Sequence, residues 1–252
     1  MDAIPVLLSV AIAFIMTLIM TLIGGAFGVK YRRNIIILMA FTAGVLIALS
    51  LFELIPEIFS LAQKTRASIN SALFTIASGF IFLYAVNQYV FKPQKTNGKD
   101  KKTFRSSSGL LATSEFCTHA LLEGLTIGLS FQFNFGLGII AAVAVVSHDF
   151  CDGIVTITLM LSSGNSVKAS LGLLVIDAAA PIAGAVATLF FVMPDNYLVF
   201  FFSFLTGGFI YLGTMHLLHK SFQDNPKWVT IVTFVSGILL IFVLARVVNG
   251  FQ

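Results

Sequence analysis

The 252-residue chain is 58% hydrophobic and only 10% charged, with a mean hydropathy of +0.97. Soluble domains carry about 25% charged residues, so this composition excludes an ordinary soluble protein and predicts a membrane protein. The net charge of +4 comes mostly from residues between apolar segments, where basic residues set membrane orientation, so we expect no nucleic-acid partner.

Eight apolar segments follow one another along the chain, and each is long enough to cross a bilayer as a helix. We predict spans at residues 4–29, 35–57, 69–91, 109–131, 136–162, 167–192, 196–219 and 228–249. The predicted fold is therefore an all-α, polytopic membrane protein in which residues 1–252 form a single transmembrane domain. The stretch 92–108, rich in Lys, Ser and Gly, is predicted to be a flexible basic cytoplasmic loop.

The basic residues lie almost entirely on one side of these spans. The loops after spans 1, 3, 5 and 7 hold twelve of the fifteen Lys and Arg residues, and only Lys64, Arg66 and Arg246 lie on the other side. Because basic loops stay in the cytoplasm, this asymmetry predicts that both termini lie outside it. We expect an integral protein of the cell membrane (the inner or plasma membrane) in contact with the lipid bilayer.

Spans 2 and 7 share a short pattern. Phe41-Thr-Ala-Gly44 precedes Glu53 by the same spacing with which Phe204-Leu-Thr-Gly207 precedes His216. Five spans separate the two, so they cross the membrane in opposite directions. This pattern is typical of a weak inverted repeat, here of spans 1–3 and 6–8. The alternative is that Gly and Leu recur by chance in membrane helices.

Acids and imidazoles lie near the middle of spans 4, 5 and 6, where each charged side chain costs about 2.5–3.5 kcal/mol. No Lys or Arg lies at the same depth to neutralise them. The i,i+4 spacing of His119 with Glu123, and of His148 with Asp152, places each pair on one helix face. Carboxylate and neutral imidazole together are ligands that zinc and its first-row neighbours accept. The candidate metal ligands are His119, Glu123, His148, Asp149, Asp152 and Asp177.

A second group of polar residues lies nearer the ends of the spans. The candidates for the metal entrance or exit path are Glu53, Glu57, Glu115, His216 and His219. An acidic mouth at the outer end of span 2 would attract cations. The alternative for the glutamates and the histidines of this group is a solvated helix end. For the midplane group, the alternative is a set of interhelical hydrogen bonds with protonated acids.

Two of these segments resemble motifs of the ZIP (zinc–iron permease) family. His119-Ala-Leu-Leu-Glu123-Gly-Leu is similar to the fourth-helix motif H-N-x-x-E-G-L, and His148-Asp-Phe-Cys-Asp152-Gly resembles the fifth-helix motif, in which a polar pair precedes P-E-G by one residue. The segment from Phe41 to Glu57 resembles the second helix of the family. The resemblance extends to eight spans, outside termini and a loop between spans 3 and 4.

The resemblance implies uptake of zinc, iron or manganese into the cytoplasm by an elevator-like movement of a helix bundle. It assigns metal binding to His119, Glu123, Asp149 and Asp152, with His148 beside them. Three departures bear on the number of ions: Ala120 replaces the asparagine of the first motif, Ala180 replaces a carboxylate before Pro181, and Met215-His216 replaces a pair of glutamates. We therefore expect one metal at this set of ligands.

The leading hypothesis is a divalent-metal transporter, not an enzyme, with zinc or another divalent transition metal as its substrate and no organic cofactor. A homodimer is possible. The first alternative is a membrane-embedded metal hydrolase in which a metal-bound water attacks a lipid amide or ester. A third hypothesis is a proton relay through the carboxylates without any metal.

Overall fold

The computed structural model describes residues 3–90, 98–133, 135–190, 195–224 and 228–249, which form helices joined by short turns, without a strand in these ranges. Three π-helical segments, Ser50–Leu54, Val86–Val90 and Leu212–Leu218, interrupt or extend the helices. The α-helices are α1 (Ala3–Lys30), α2 (Ile35–Leu49), α3 (Ile55–Thr65), α4 (Ile69–Ala85), α5 (Gly98–Phe133), α6 (Phe135–Ser162), α7 (Val167–Ala187), α8 (Asp195–Tyr211), α9 (His219–Asp224) and α10 (Trp228–Asn249).

The prediction of a polytopic all-α membrane protein is confirmed. Seven helical stretches among the described residues are long and apolar enough to cross a membrane, and they correspond to the predicted spans 1–3 and 5–8. Span 4 lies within α5 and is less apolar because Glu115, His119 and Glu123 all belong to it. Spans 2 and 7 are each built from two α-helices joined by a π-helical segment.

Two predicted boundaries differ most from the structure. Span 2 was expected to end at residue 57, but α3 continues to Thr65. Pro56 follows the π-helical segment Ser50–Leu54 closely, and Leu54 and Ile55 before it keep helical backbone angles, so it does not end the span. Within the segment 92–108, α5 begins at Gly98 and extends the fourth span into the polar residues. Residues 92–97 lie outside the described residues, and the flexible basic cytoplasmic loop stays a prediction.

The helices form two bundles. In the first bundle, α1, α5, α6 and α7 pack against one another. In the second bundle, spans 2 and 7 lie at the centre, with α10 against α2 and α4 against α8. The bundles meet where α6 contacts α2 and α10 and where α5 contacts α8. The two motif helices, α5 and α6, therefore belong to one bundle and face the other.

Four helix crossings agree with the predicted repeat. At each crossing, a glycine of each helix lies against the backbone of the other helix. The four crossings join spans 1 and 5, spans 4 and 6, spans 3 and 7, and spans 2 and 8. When span 1 is exchanged with 6, 2 with 7, 3 with 8 and 4 with 5, the same four crossings result. Glycine at these points lets the backbones approach more closely than any side chain would permit. The pairs are Gly24 with Gly153, Gly124 with Gly184, Gly79 with Gly207, and Gly44 with Gly237.

The surface of the described helices is apolar where they face away from the bundles. On α4, Phe74 and Ile81 are 75% and 62% exposed, and on α10 Val232 and Leu239 are more than half exposed. A soluble protein would not leave such stripes in water, whereas lipid tails cover them without cost. The interior instead holds the polar residues of α5, α6 and α7.

Candidate metal site

Three buried side chains meet around one carboxylate oxygen. Glu123 Oε1 lies 3.0 Å from His119 Nε2 on the same helix and 2.6 Å from His148 Nε2 on α6. The i,i+4 spacing turns both α5 side chains toward α6, as the sequence predicts. All three residues are at most 6% exposed. Together they form a carboxylate–imidazole centre inside the first bundle.

A second group shares the same glutamate. One ligand atom from each of Glu123, Asp149 and Asp152 lies within 4.8 Å of the other two, and the same holds for His119, Glu123 and His148. Asp152 Oδ2 also lies 3.8 Å from His148 Nε2, which connects the two groups. Five of the six predicted ligands are thus brought together, with Glu123 at the point of overlap.

Buried oxygen and nitrogen atoms in this cluster remain without hydrogen bonds. Within the described part of the chain, no hydrogen-bond partner is found for Glu123 Oε2, Asp149 Oδ2, Asp152 Oδ1 or His119 Nδ1. An unsatisfied polar group costs about 1–3 kcal/mol, and more if it is charged. A divalent cation would compensate several of these acceptors at once, and imidazole with carboxylate suits zinc-like ions. The donor set therefore fits a divalent metal ion.

Asp177, the sixth predicted ligand, has a different environment. It is 2% exposed, and its Oδ2 accepts a hydrogen bond of 2.6 Å from Thr156 Oγ1 on α6. It does not belong to either group of ligand atoms found among the described residues. The carboxylate ties α7 to α6 beside the cluster. No sequence pattern indicates this contact, because Thr156 lies one turn beyond the motif.

Glu53 reaches the cluster from the second bundle. Its Oε1 lies 3.3 Å from His148 Nδ1, on the side of the imidazole ring opposite Glu123. Glu53 and Glu57 were expected near the outer end of span 2, but α3 extends that span beyond both residues. The π-helical segment Ser50–Leu54 contains Glu53 and interrupts the α-helix at this contact.

The remaining candidates of the predicted path lie apart from the cluster. Glu57 is exposed, one turn after Glu53. Glu115 lies at the contact of α5 with α8. His216 Nε2 lies 3.3 Å from Ser163 Oγ at the end of α6, whereas His219 is exposed. These positions do not by themselves define a path along which the metal ion enters or leaves.

Comparison with known proteins finds similarity to a zinc transporter. No family model matches the chain. It is 26% identical over 154 residues to zinc transporter zipt-7.2 of Caenorhabditis elegans, a match that covers 58% of this chain and 33% of the relative. The matched part therefore spans about a third of the length of that protein. This similarity to a zinc transporter agrees with the family resemblance of the two motifs, and the polytopic helical fold is consistent with it.

Proposed function

We propose that this protein carries a divalent metal ion across the membrane toward the cytoplasm, with zinc as the first candidate and iron, manganese and cadmium as further ones. The observation that carries the proposal is the pair of overlapping ligand groups that share Glu123. They are buried inside a bundle, and the buried residues of the described part of the chain include no lysine or arginine. The similarity to a zinc transporter supports the same function.

The donor types favour transport over permanent binding. A structural zinc site usually includes thiolates, which hold the ion tightly. Cys151 is buried directly before Asp152, yet neither group of ligand atoms includes it. Carboxylates and imidazoles bind strongly enough to replace the hydration shell of the ion and still release it, which a transport site requires.

The division into two bundles suits a movement of one against the other. All five clustered ligands belong to the first bundle, and Glu53 contacts them from the second. A displacement of the first bundle along the second would carry the ion with its ligands and break the contact between Glu53 and His148. This is the elevator-like movement that the family resemblance implies.

Uptake into liposomes tests the proposed function. The purified protein is reconstituted, and zinc, cadmium, manganese and iron(II) are added outside while their accumulation is measured. We expect saturable uptake that His119→Ala and Asp152→Ala each abolish. Persistent uptake in both variants would refute the site assignment. Absence of uptake of every cation by the wild-type protein would refute the function.

The alternative of a membrane-embedded hydrolase makes a different prediction for the same preparation. Lipid amides or esters in the bilayer would release fatty acid or a head group, and no ion would accumulate. The similarity to a transporter favours the first outcome. Mass spectrometry of the liposome lipids after incubation with zinc therefore separates the two functions.

A further inference from the structure

Glu115 is a buried carboxylate without a partner. Both of its side-chain oxygens are inaccessible, and neither forms a hydrogen bond with any residue that the structure describes. It lies on α5 four residues before His119, one turn nearer the basic, cytoplasmic side predicted from the loops. An isolated carboxylate in such a place is costly, and intramembrane ionisable residues are functional-site candidates by default.

The carboxylate occupies a notch on the other bundle. A Cβ atom on Gly208 of α8 would lie 1.5 Å from Glu115 Oε1, so the glycine leaves room for the carboxylate in this side-chain conformation. Beside the notch, the rings of Phe116 and Phe209 stack with centroids 5.1 Å apart. Phe209 also lies 5.0 Å from the His119 ring, measured between centroids. Glu115 is therefore held between the two bundles, next to the metal cluster but outside it.

We propose that Glu115 is a transient metal ligand, which receives the ion from His119 as it leaves the midplane site. The inference rests on the proposed function. His119 and Glu115 share one face of α5 through their i,i+4 spacing, and His119 Nδ1 is unpartnered among the described residues. When the first bundle moves, Glu115 leaves the Gly208 notch and its carboxylate becomes available to the ion.

If Glu115 only held the two helices together, we would expect it to have a polar partner in the notch. A carboxylate that served to hold α5 against α8 would hydrogen-bond across the interface, as Asp177 does with Thr156. Glu115 instead faces the backbone of a glycine, which offers no donor side chain. The contact with Gly208 packs the carboxylate closely but provides no hydrogen bond for its oxygens. The compensating group is, in this proposal, the passing cation.

Four variants separate the ligand role from the packing role. Glu115→Gln keeps the size of the side chain but removes its charge. Gly208→Ala removes the notch, and Glu115→Ala leaves it empty. The double variant E115A/G208A fills the space with a methyl group and restores packing without a carboxylate. Gly172→Ala is the matched glycine control, because a Cβ atom there meets no described atom within 4 Å.

Zinc uptake and bound zinc are measured for each reconstituted variant, and thermal stability is measured in detergent. We expect Glu115→Gln and E115A/G208A to bind zinc as the wild type does but to take it up about tenfold more slowly or worse, in the range typical for lost metal-site residues. The double variant should melt closer to the wild type than Gly208→Ala does. Gly172→Ala should match the wild type throughout.

Two results would overturn the proposal. Wild-type uptake by E115A/G208A would show that the carboxylate only fills space. Loss of bound zinc in Glu115→Gln would place this residue in the midplane site itself. Failure of the wild type to take up any metal would instead overturn the proposed function, so the two failures are distinct.

Discussion

Glu53 and His148 form a polar contact between the second bundle and the candidate metal site, with 3.3 Å between Oε1 and Nδ1. The imidazole thereby has a carboxylate on each side, since its Nε2 lies 2.6 Å from Glu123. A carboxylate on the second nitrogen of a metal-binding histidine fixes the orientation of the ring and raises its basicity. Glu53 is placed to do this only while the bundles are in the arrangement seen here.

The first prediction concerns Glu53. Glu53→Gln removes the charge that orients His148, and we expect the zinc concentration for half-maximal uptake to rise about 10–100-fold. Glu57→Gln is the matched control, because that residue lies on the same span and is exposed. Equal effects of both variants would indicate a general acidic mouth at this end of span 2, and the proposed orientation of His148 would then be wrong.

The second prediction concerns Asp177. Asp177→Asn retains a hydrogen-bonding side chain opposite Thr156 and is not expected to reduce the amount of bound zinc, whereas Asp152→Asn is expected to abolish binding. Thr156→Val should lower stability by about 1–3 kcal/mol, because it leaves a buried carboxylate oxygen without its donor. Metal analysis and thermal unfolding of the purified variants check both statements. Loss of zinc in Asp177→Asn would make Asp177 a ligand after all.

The third prediction concerns protons. Glu123 Oε1 lies within 3.0 Å of imidazole nitrogens on two sides, and the closer contact, to His148, is a hydrogen bond that requires a proton. A metal ion that binds Glu123 and these imidazole nitrogens must displace protons, because its ligands are bound deprotonated. We therefore expect zinc affinity to fall as the pH decreases from 8 to 6. Calorimetry in buffers of different ionisation enthalpy should report net proton release, and a result of no release would contradict the assigned ligands.

The fourth prediction concerns the crossing of α5 with α7 at Gly124. A Cβ atom on Gly124 would lie 1.9 Å from the Pro181 carbonyl oxygen, so Gly124→Ala must separate α5 from α7. Overpacking of this kind costs about 1–3 kcal/mol, and here it also displaces Glu123, the neighbouring residue. We expect a lower melting temperature and weaker zinc binding. A Gly124→Ala protein with both properties of the wild type would contradict the observed crossing.

The fifth prediction concerns the movement of the bundles. Ser163 and His216 approach to 3.3 Å between the end of α6 and the π-helical segment of span 7, which belong to different bundles. In a chain without Cys117 and Cys151, the pair S163C/H216C should be joined by a reducible bifunctional methanethiosulfonate reagent, which spans the space that the imidazole fills, and zinc uptake should stop until the link is reduced. The single variants, treated with the same reagent, provide the control. Undiminished uptake by the cross-linked pair would argue against relative movement at this point.

Much of this architecture follows from patterns within single helices. The i,i+4 pairs on α5 and α6 and the shared spacing of Gly44 with Glu53 and Gly207 with His216 required only helical periodicity. The crossings of these glycines in the structure agree with the repeat. Local sequence was sufficient here because each feature lies on one face of one helix.

Contacts between side chains of different helices could not be predicted from the sequence in the same way. The rotation of one helix about its axis relative to another depends on packing, so the contact of Glu53 with His148 and that of Asp177 with Thr156 were not predicted. The continuation of span 2 past Pro56 depends on the π-helical segment before it, which propensity does not indicate. The Gly208 notch likewise exists only between helices distant in sequence.

The central claim is that the buried cluster around Glu123 binds the ion that crosses the membrane. Its most direct test is a paired measurement of zinc content and zinc uptake for the wild type and Glu123→Gln in the same liposome preparation. We predict that the wild type binds and accumulates zinc, and that Glu123→Gln does neither, because both ligand groups lose their common member. Wild-type uptake by Glu123→Gln would contradict the claim.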